Sequence, residues 1–205
     1  MRATKLFMAG SLLVLAIVVA GCAKPPEVEM NDAKAALDDA MQSTQADKWA
    51  PSEYQAAKSA LDAANQEVEA QNQRFALMRN YDKAKEDFMK AKAEAAKAKQ
   101  AAVQYKEMAK NEANTKLQEA TTAITTAREA LSKAPVTKDT RADIQLFTSD
   151  LDGLDQSINE VQSLISSEDF KGASSRASAI VQQANDIATK LTEATAKAAA
   201  KKGRR

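Results

Sequence analysis

Residues 81–133 read YDKAKEDFMKAKAEAAKAKQAAVQYKEMAKNEANTKLQEATTAITTAREALSK. Apolar residues return in this stretch at alternating spacings of three and four: Tyr81, Ala84, Phe88, Ala91, Ala95, Ala98, Ala102, Tyr105 and Ala109. After a four-residue shift through Ala113 the pattern resumes with Leu117, Ala120, Ile124, Ala127 and Leu131. Sustained heptads are typical of helices that pack along their length, and a four-residue shift locally unwinds a supercoil. The stretch therefore predicts one long helix over 82–133.

Shorter heptad runs flank the long helix and predict further helices near 28–48, 51–79, 138–166 and 168–199. Pro51 is well placed as a first helical residue, and Ala134-Pro135 ends the long helix. Before the last helix, residues 166–169 offer a serine N-cap followed by acids. Short connections make neighbouring helices antiparallel. The predicted fold class is all-α: an elongated antiparallel helical bundle or coiled coil of about five helices with one long central helix.

Large side chains at the heptad positions are assigned to the core. They include Trp49, Tyr54, Phe75 and Met78. Because the first two flank Pro51 at a helix–helix corner, packing across that corner is the simpler interpretation, and a peptide- or glycan-binding platform is the alternative. The segment 80–82 is interpreted as a tight turn or a kink, with Asp82 as a candidate cap.

Seam composition divides the body into an N-terminal helical domain at 31–115 and a C-terminal helical hairpin or bundle at 116–199, followed by a basic tail at 200–205. Alanine dominates the N-terminal seams, whereas leucine, isoleucine and phenylalanine are frequent in the C-terminal ones. An alanine buries far less apolar area than a leucine. We therefore expect the C-terminal half to be the more stable.

The first 21 residues have the features of an export signal. Arg2 and Lys5 supply a positive start, and residues 6–20 are almost wholly apolar but too short to span a membrane comfortably. The segment ends in Val19-Ala20-Gly21-Cys22, which resembles the lipobox of bacterial lipoproteins. The resemblance implies cleavage between Gly21 and Cys22, a diacylglycerol thioether on Cys22 and N-acylation by a chain such as palmitate. An ordinary signal peptide or membrane anchor with an incidental cysteine is the alternative. Residues 22–30 are assigned as the lipidated cysteine and its tether.

Composition restricts the chemistry of the body. The chain has 205 residues, no histidine, one cysteine and a net charge of +1. Histidine-based catalytic triads, zinc sites and haem ligation are therefore excluded. Removing residues 1–21 takes away two of the 29 basic residues and none of the 28 acidic ones, which leaves a nearly neutral chain and no charge argument for nucleic acid. We expect no enzymatic activity, no metal and no cofactor.

The helical body also resembles a known family. Ala36-Leu37 followed by Ala40, the segment 49–54 (WAPSEY), and Tyr81 followed by Ala84 with trailing alanines are similar to an alanine-rich helical domain of unknown function. That domain occurs in proteobacterial envelope lipoproteins, sometimes ahead of an OmpA-like peptidoglycan-binding domain. The resemblance spans roughly residues 30–100, implies an outer-membrane lipoprotein facing the periplasm, and assigns no catalytic residues. In plan the chain is also similar to Braun's lipoprotein, although it ends in arginines where that protein ends in a lysine joined to peptidoglycan.

Two basic features are candidates for contact with an anionic surface. Four lysines at heptad spacing, Lys85, Lys92, Lys99 and Lys106, lie along one side of the long helix, and the tail ends in Arg204 and Arg205. The simpler interpretations are a solvated helix face and a frayed, disordered end.

The function predicted from the sequence is a non-enzymatic outer-membrane lipoprotein that serves as a periplasmic helical scaffold. Its partners would be the membrane, through the lipid on Cys22, and either peptidoglycan or another envelope protein, with self-association left open. Two alternatives remain. One is a helix-binding adaptor or holdase whose alanine seam at 84–109 opens for a client, and the other is an amphipathic protein that binds lipid surfaces.

Overall fold

The computed structural model describes residues 23–138 and 140–202. Gly21, Cys22, Arg204 and Arg205, like the predicted signal peptide, lie outside these ranges. The described residues form six α-helices and no strand, so the all-α helical-bundle prediction is confirmed. The helices are α1 (Glu27–Thr44), α2 (Ala46–Trp49), α3 (Pro51–Asn72), α4 (Asp82–Lys133), α5 (Arg141–Ser166) and α6 (Phe170–Lys202). The long helix has the bounds predicted for it.

The chain divides between Tyr105 and Lys106, inside α4, into two compact units. Unit 1 contains α1, α2, α3 and the first part of α4, and unit 2 contains the rest of α4 with α5 and α6. Along α4 the fully buried positions are interrupted between Ala102 and Ala113. This interruption coincides with the predicted four-residue shift, which moves the apolar stripe off one helix face.

Unit 1 is a three-helix arrangement in which α1 and α4 run in the same direction. Ion pairs join Lys85 to Glu29 and Lys99 to Asp39, so residue numbers increase in the same direction along α4 and α1. Helix α3 runs the opposite way, because its C-terminal Glu67 pairs with Lys83. The core between these helices consists of Ala33, Leu37, Ala57, Leu61, Ala64, Phe88, Ala91 and Ala95. Alanine at most of these positions lets the backbones approach closely.

Unit 2 has larger side chains in its core. Its buried residues include Ile124, Leu151, Leu154, Val161, Phe170, Ile180, Ile187 and Leu191, separated by alanines. At its surface Arg128 of α4 donates to Asp152 and Asp155 of α5 at 2.8 and 2.5 Å. The hydrogen bond to Asp152 and, to a smaller extent, the one to Asp155 raise the pKa of the Arg128 guanidinium.

Three details of the helix ends differ from the sequence-based expectation. The first predicted helix is broken at Gln45, whose left-handed backbone (φ 52°, ψ 48°) ends α1 before the single turn of α2. Helix α5 begins at Arg141 rather than near 138. The cap of α6 is Asp169, whose Oδ1 accepts from the Gly172 N–H at 3.0 Å, and not a serine. The hydroxyl of Ser167 is already used, because it donates to the Leu164 carbonyl at the end of α5.

The second predicted helix is too long by one heptad. Helix α3 ends at Asn72, and a 3₁₀ turn at Ala76–Met78 follows. Phe75 and Met78, which the heptad pattern assigned to the core, are each 71% exposed. That assignment is wrong because the helix ends before these positions, so the 3.5-residue period no longer controls which way they face. Tyr105 is also partly exposed, and its hydroxyl donates to Glu53 at 3.0 Å.

Candidate functional site

The four heptad lysines of α4 each form an ion pair within their own unit. In unit 1, Lys85, Lys92 and Lys99 approach Glu29, Asp32 and Asp39 of α1 at 3.0, 2.8 and 2.6 Å. In unit 2, Lys106 approaches Glu168 at 2.7 Å. The seven-residue spacing therefore places lysines along the edge of α4 that adjoins acidic side chains. All these groups keep substantial contact with solvent, where a single ion pair contributes little to stability.

Two of these ion pairs lower the pKa of the paired carboxylate. A hydrogen bond from the Lys85 ammonium lowers the pKa of Glu29, and one from Lys99 lowers the pKa of Asp39. Each lysine charge is thus balanced by an adjacent carboxylate. An anionic ligand on this row would have to compete for the same ammonium groups with the α1 acids in unit 1 and with Glu168 in unit 2.

The corner at Pro51 is closed by packing. Trp49 is only 8% exposed, and the Lys48 ammonium lies 4.9 Å from the centroid of the indole ring. The hydroxyl of Tyr54 donates to the Met41 sulfur at 3.6 Å, so that α3 contacts the end of α1. Packing across the corner, the simpler of the two interpretations, is what the geometry supports for these side chains.

An apolar turn connects α3 to α4, and it contains two side chains that the heptad pattern wrongly assigned to the core. We define the apolar turn as residues 73–81. Phe75 and Met78 are each 71% exposed and Leu77 is 58% exposed, so three large apolar side chains within four residues meet solvent. Exposed apolar clusters of this kind often mark surfaces that contact a partner or a membrane.

Side-chain hydrogen bonds hold the backbone of the apolar turn in place. The Arg79 guanidinium donates from Nε to the Arg74 carbonyl at 3.1 Å and from Nη2 to the Asn72 carbonyl at 2.9 Å. The Tyr81 hydroxyl donates to Asn72 Oδ1 at 2.5 Å. The two Arg79 bonds satisfy backbone carbonyls at and just beyond the end of α3, and the Tyr81 bond ties the residue before α4 to the Asn72 side chain. The turn therefore presents its apolar side chains from a fixed loop.

A buried glutamine adds further hydrogen bonds that hold the apolar turn. Gln71 is 6% exposed; its Oε1 accepts from the Asn80 N–H at 3.1 Å, and its Nε2 donates to Glu67 Oε1 at 2.8 Å. A hydrogen bond from Gln71 and, to a smaller extent, one from Lys83 lower the pKa of Glu67. The start of α4 is fixed by the Asn80 side chain, which accepts from the Asp82 N–H at 2.7 Å. The sequence signal available for this turn was the polar Gln71 at a heptad position, together with Asn72 and Asn80.

Residues 23–138 and 140–202 hold no group of three or more histidine, cysteine, aspartate or glutamate side chains arranged to bind a metal ion. Among the helices of the same ranges, none combines the length and apolar character that crossing a membrane requires.

Comparison with known proteins adds no relative. No family model, no curated protein and no solved structure matches this chain.

Proposed function

We propose that the protein is a lipid-anchored lipoprotein of the outer membrane that faces the periplasm and acts as a passive helical scaffold of the cell envelope. The observation that carries the proposal is the position of the single cysteine. Cys22 ends the segment Val19-Ala20-Gly21-Cys22 behind an apolar stretch with a basic start, and only residues 23–26 separate it from the first helix. Several acyl chains on that cysteine would give a stable anchor.

The packing of unit 1 favours a scaffold over an adaptor that takes a client helix into the alanine seam. The seam residues Ala84, Ala91, Ala95, Ala98 and Ala102 are all buried within the unit. A client could reach them only if α1 or α3 left α4, which would uncover the core around Phe88. The surfaces offered to partners are therefore the outer helix faces and the connections.

A crosslinking pull-down from cells tests the proposal. The native protein is compared with Cys22→Ala, and Ser11→Ala serves as a matched control that changes the signal segment but keeps the cysteine. We expect the native and Ser11→Ala forms to fractionate with the outer membrane and to capture peptidoglycan or one defined envelope protein, and Cys22→Ala to leave the outer-membrane fraction.

Equal fractionation of all three forms would contradict the lipid anchor. If Cys22→Ala leaves the membrane fraction but captures the same partner, the helical body alone recognises that partner and the lipid only concentrates it. If the anchored forms capture neither cell wall nor an envelope protein, the scaffold role is contradicted while the anchor stands.

A further inference from the structure

The apolar turn lies at the end of unit 1 where the chain enters it. Helix α1 begins at Glu27 and α4 begins at Asp82, directly after the turn. The two helices run in the same direction, and the Lys85–Glu29 ion pair of 3.0 Å joins their first turns. The N-terminus of α1 and the turn therefore share one end of the unit.

That same end carries a further exposed apolar side chain on α1. Val28, in the first turn of α1, is 71% exposed, as are two side chains of the apolar turn. The end of unit 1 thus presents valine, phenylalanine, leucine and methionine to solvent from two separate segments. Of the other large apolar residues of α1, Met30 and Leu37 lie at or against the core, and Met41, near the opposite end of the helix, is 38% exposed.

The predicted lipid attachment is close to this end. Five residue steps separate Cys22 from Glu27, and an extended chain advances at most about 3.3–3.6 Å per residue, so the Cα atom of Cys22 is tied within about 18 Å of the start of α1. A lipid on Cys22 would hold this end of unit 1, and not the end that carries Gln45, at the bilayer surface. The distance is short compared with the thickness of a bilayer.

The chemistry of the turn suits the interface of a phospholipid leaflet. Arg74 and Arg79 flank the apolar side chains, and residues 73–81 contain no acid. Phenylalanine, leucine and methionine partition into the acyl boundary, and arginines contact lipid phosphates. Arg74 is the candidate for that contact, because the Arg79 guanidinium already donates two hydrogen bonds within the turn. Glu27 and Asp82 also lie at this end, so the apolar side chains and not net charge would supply most of the binding.

We propose that the apolar turn, with Val28, inserts into the phospholipid leaflet that carries the acylated Cys22 and so forms a second, non-covalent membrane contact of unit 1. The inference rests on the proposed function, because the lipid on Cys22 brings this end to the membrane. The contact fixes how unit 1 stands on the leaflet: a lipid alone leaves the body free to pivot on residues 23–26, whereas an inserted turn restricts it.

The test places an environment-sensitive fluorophore on the turn. Met78→Cys carries the label, and Gln42→Cys, an exposed position near the other end of α1, carries it in the matched control. Both proteins are purified from cell envelopes and reconstituted into vesicles of phosphatidylethanolamine and phosphatidylglycerol. A thioether-linked Cys22 does not react with the dye, and the intact mass reports acylation and labelling in the same spectrum.

With an acylated Cys22, we expect the label at 78 to shift to the blue and to be quenched by lipids that carry a shallow nitroxide, while the label at 42 behaves as in water. Adding Phe75→Ser should reduce the ratio of inserted to free turn about tenfold, since one large apolar side chain then no longer enters the leaflet. Because Phe75 is exposed, the helical circular dichroism should be unchanged.

Identical spectra at positions 78 and 42 on acylated protein would overturn the insertion while leaving the lipid anchor intact. A blue shift that appears without vesicles and grows with protein concentration would place a second copy on the turn and also overturn it. If the mass shows an unacylated Cys22, the proposed anchor fails. Cys22→Ala combined with Met78→Cys, which leaves position 78 as the one thiol, is then added to the same vesicles to decide insertion separately, since a shift at 78 supports it and its absence overturns it.

Discussion

Phe88 is the side chain on which the packing of unit 1 depends most. It is 0% exposed and is one of only three residues larger than alanine among the eight buried residues of that core. Phe88→Ala removes the ring from a site lined largely by alanines, which are too short to fill the space. Phenylalanine-to-alanine changes in cores cost about 3–5 kcal/mol, so we expect a loss of that size in the free energy of unfolding. For a unit of this length the midpoint of thermal unfolding should fall by about 12 °C or more.

Tryptophan fluorescence follows this loss in unit 1 alone. The chain has one tryptophan, and Trp49 lies buried in unit 1, so its emission reports unfolding of that unit during a urea titration. Met89→Ala is the matched control, because the neighbouring side chain is 60% exposed and its removal should change stability by less than about 0.5 kcal/mol. If the two variants have the same midpoint, or Phe88→Ala costs less than about 1 kcal/mol, the described packing of unit 1 is refuted.

Three further predictions concern the backbone and the titrating groups of unit 1. Gln45→Gly should raise stability by about 0.5–1 kcal/mol in urea unfolding, because glycine adopts a left-handed backbone without strain, whereas Gln42→Gly, within α1, should lower it by about 1 kcal/mol. Asp39, which pairs with Lys99, has a lowered pKa, so its contribution to the free energy of unfolding is present above the unfolded pKa and is lost as the pH falls through the folded pKa. Lys99→Met should therefore flatten the dependence of the melting temperature on pH between about 5 and 2. The hydrogen bond to Glu53 raises the pKa of Tyr105, so Glu53→Gln should move one phenol absorbance transition to lower pH, and an unchanged titration would exclude the bond.

The heptad pattern predicts the long helix well because that helix depends on local chemistry and on an apolar repeat that continues over many turns. Pro51 and Pro135 fix backbone angles wherever they occur, so the start of α3 and the end of α4 are readable from the sequence. The pattern is weaker at helix ends set by tertiary contacts. Gln45 and Glu168 adopt positive φ (52° and 60°), although neither is glycine or asparagine, the usual signals for such an end.

The apolar turn shows the same limitation at the candidate site. Phe75 and Met78 continue the heptad spacing of α3, so a pattern based on apolar spacing alone extends the helix through them. The end of α3 depends on the hydrogen bonds of Arg79 and Gln71, which join residues up to nine positions apart. The heptad lysines were readable as a row, but the carboxylate partners of Lys85, Lys92 and Lys99 lie on α1 about 60 positions earlier, and that of Lys106 lies about 60 positions later, beyond the reach of local patterns.

The intact mass of the protein isolated from cell envelopes tests the lipid anchor most directly. We predict a chain that begins at Cys22, lacks residues 1–21 and carries the added mass of a diacylglyceryl group and a further acyl chain, with fragmentation placing both on that residue. A chain that retains residues 1–21, or one whose Cys22 carries a free thiol, would contradict the lipid anchor.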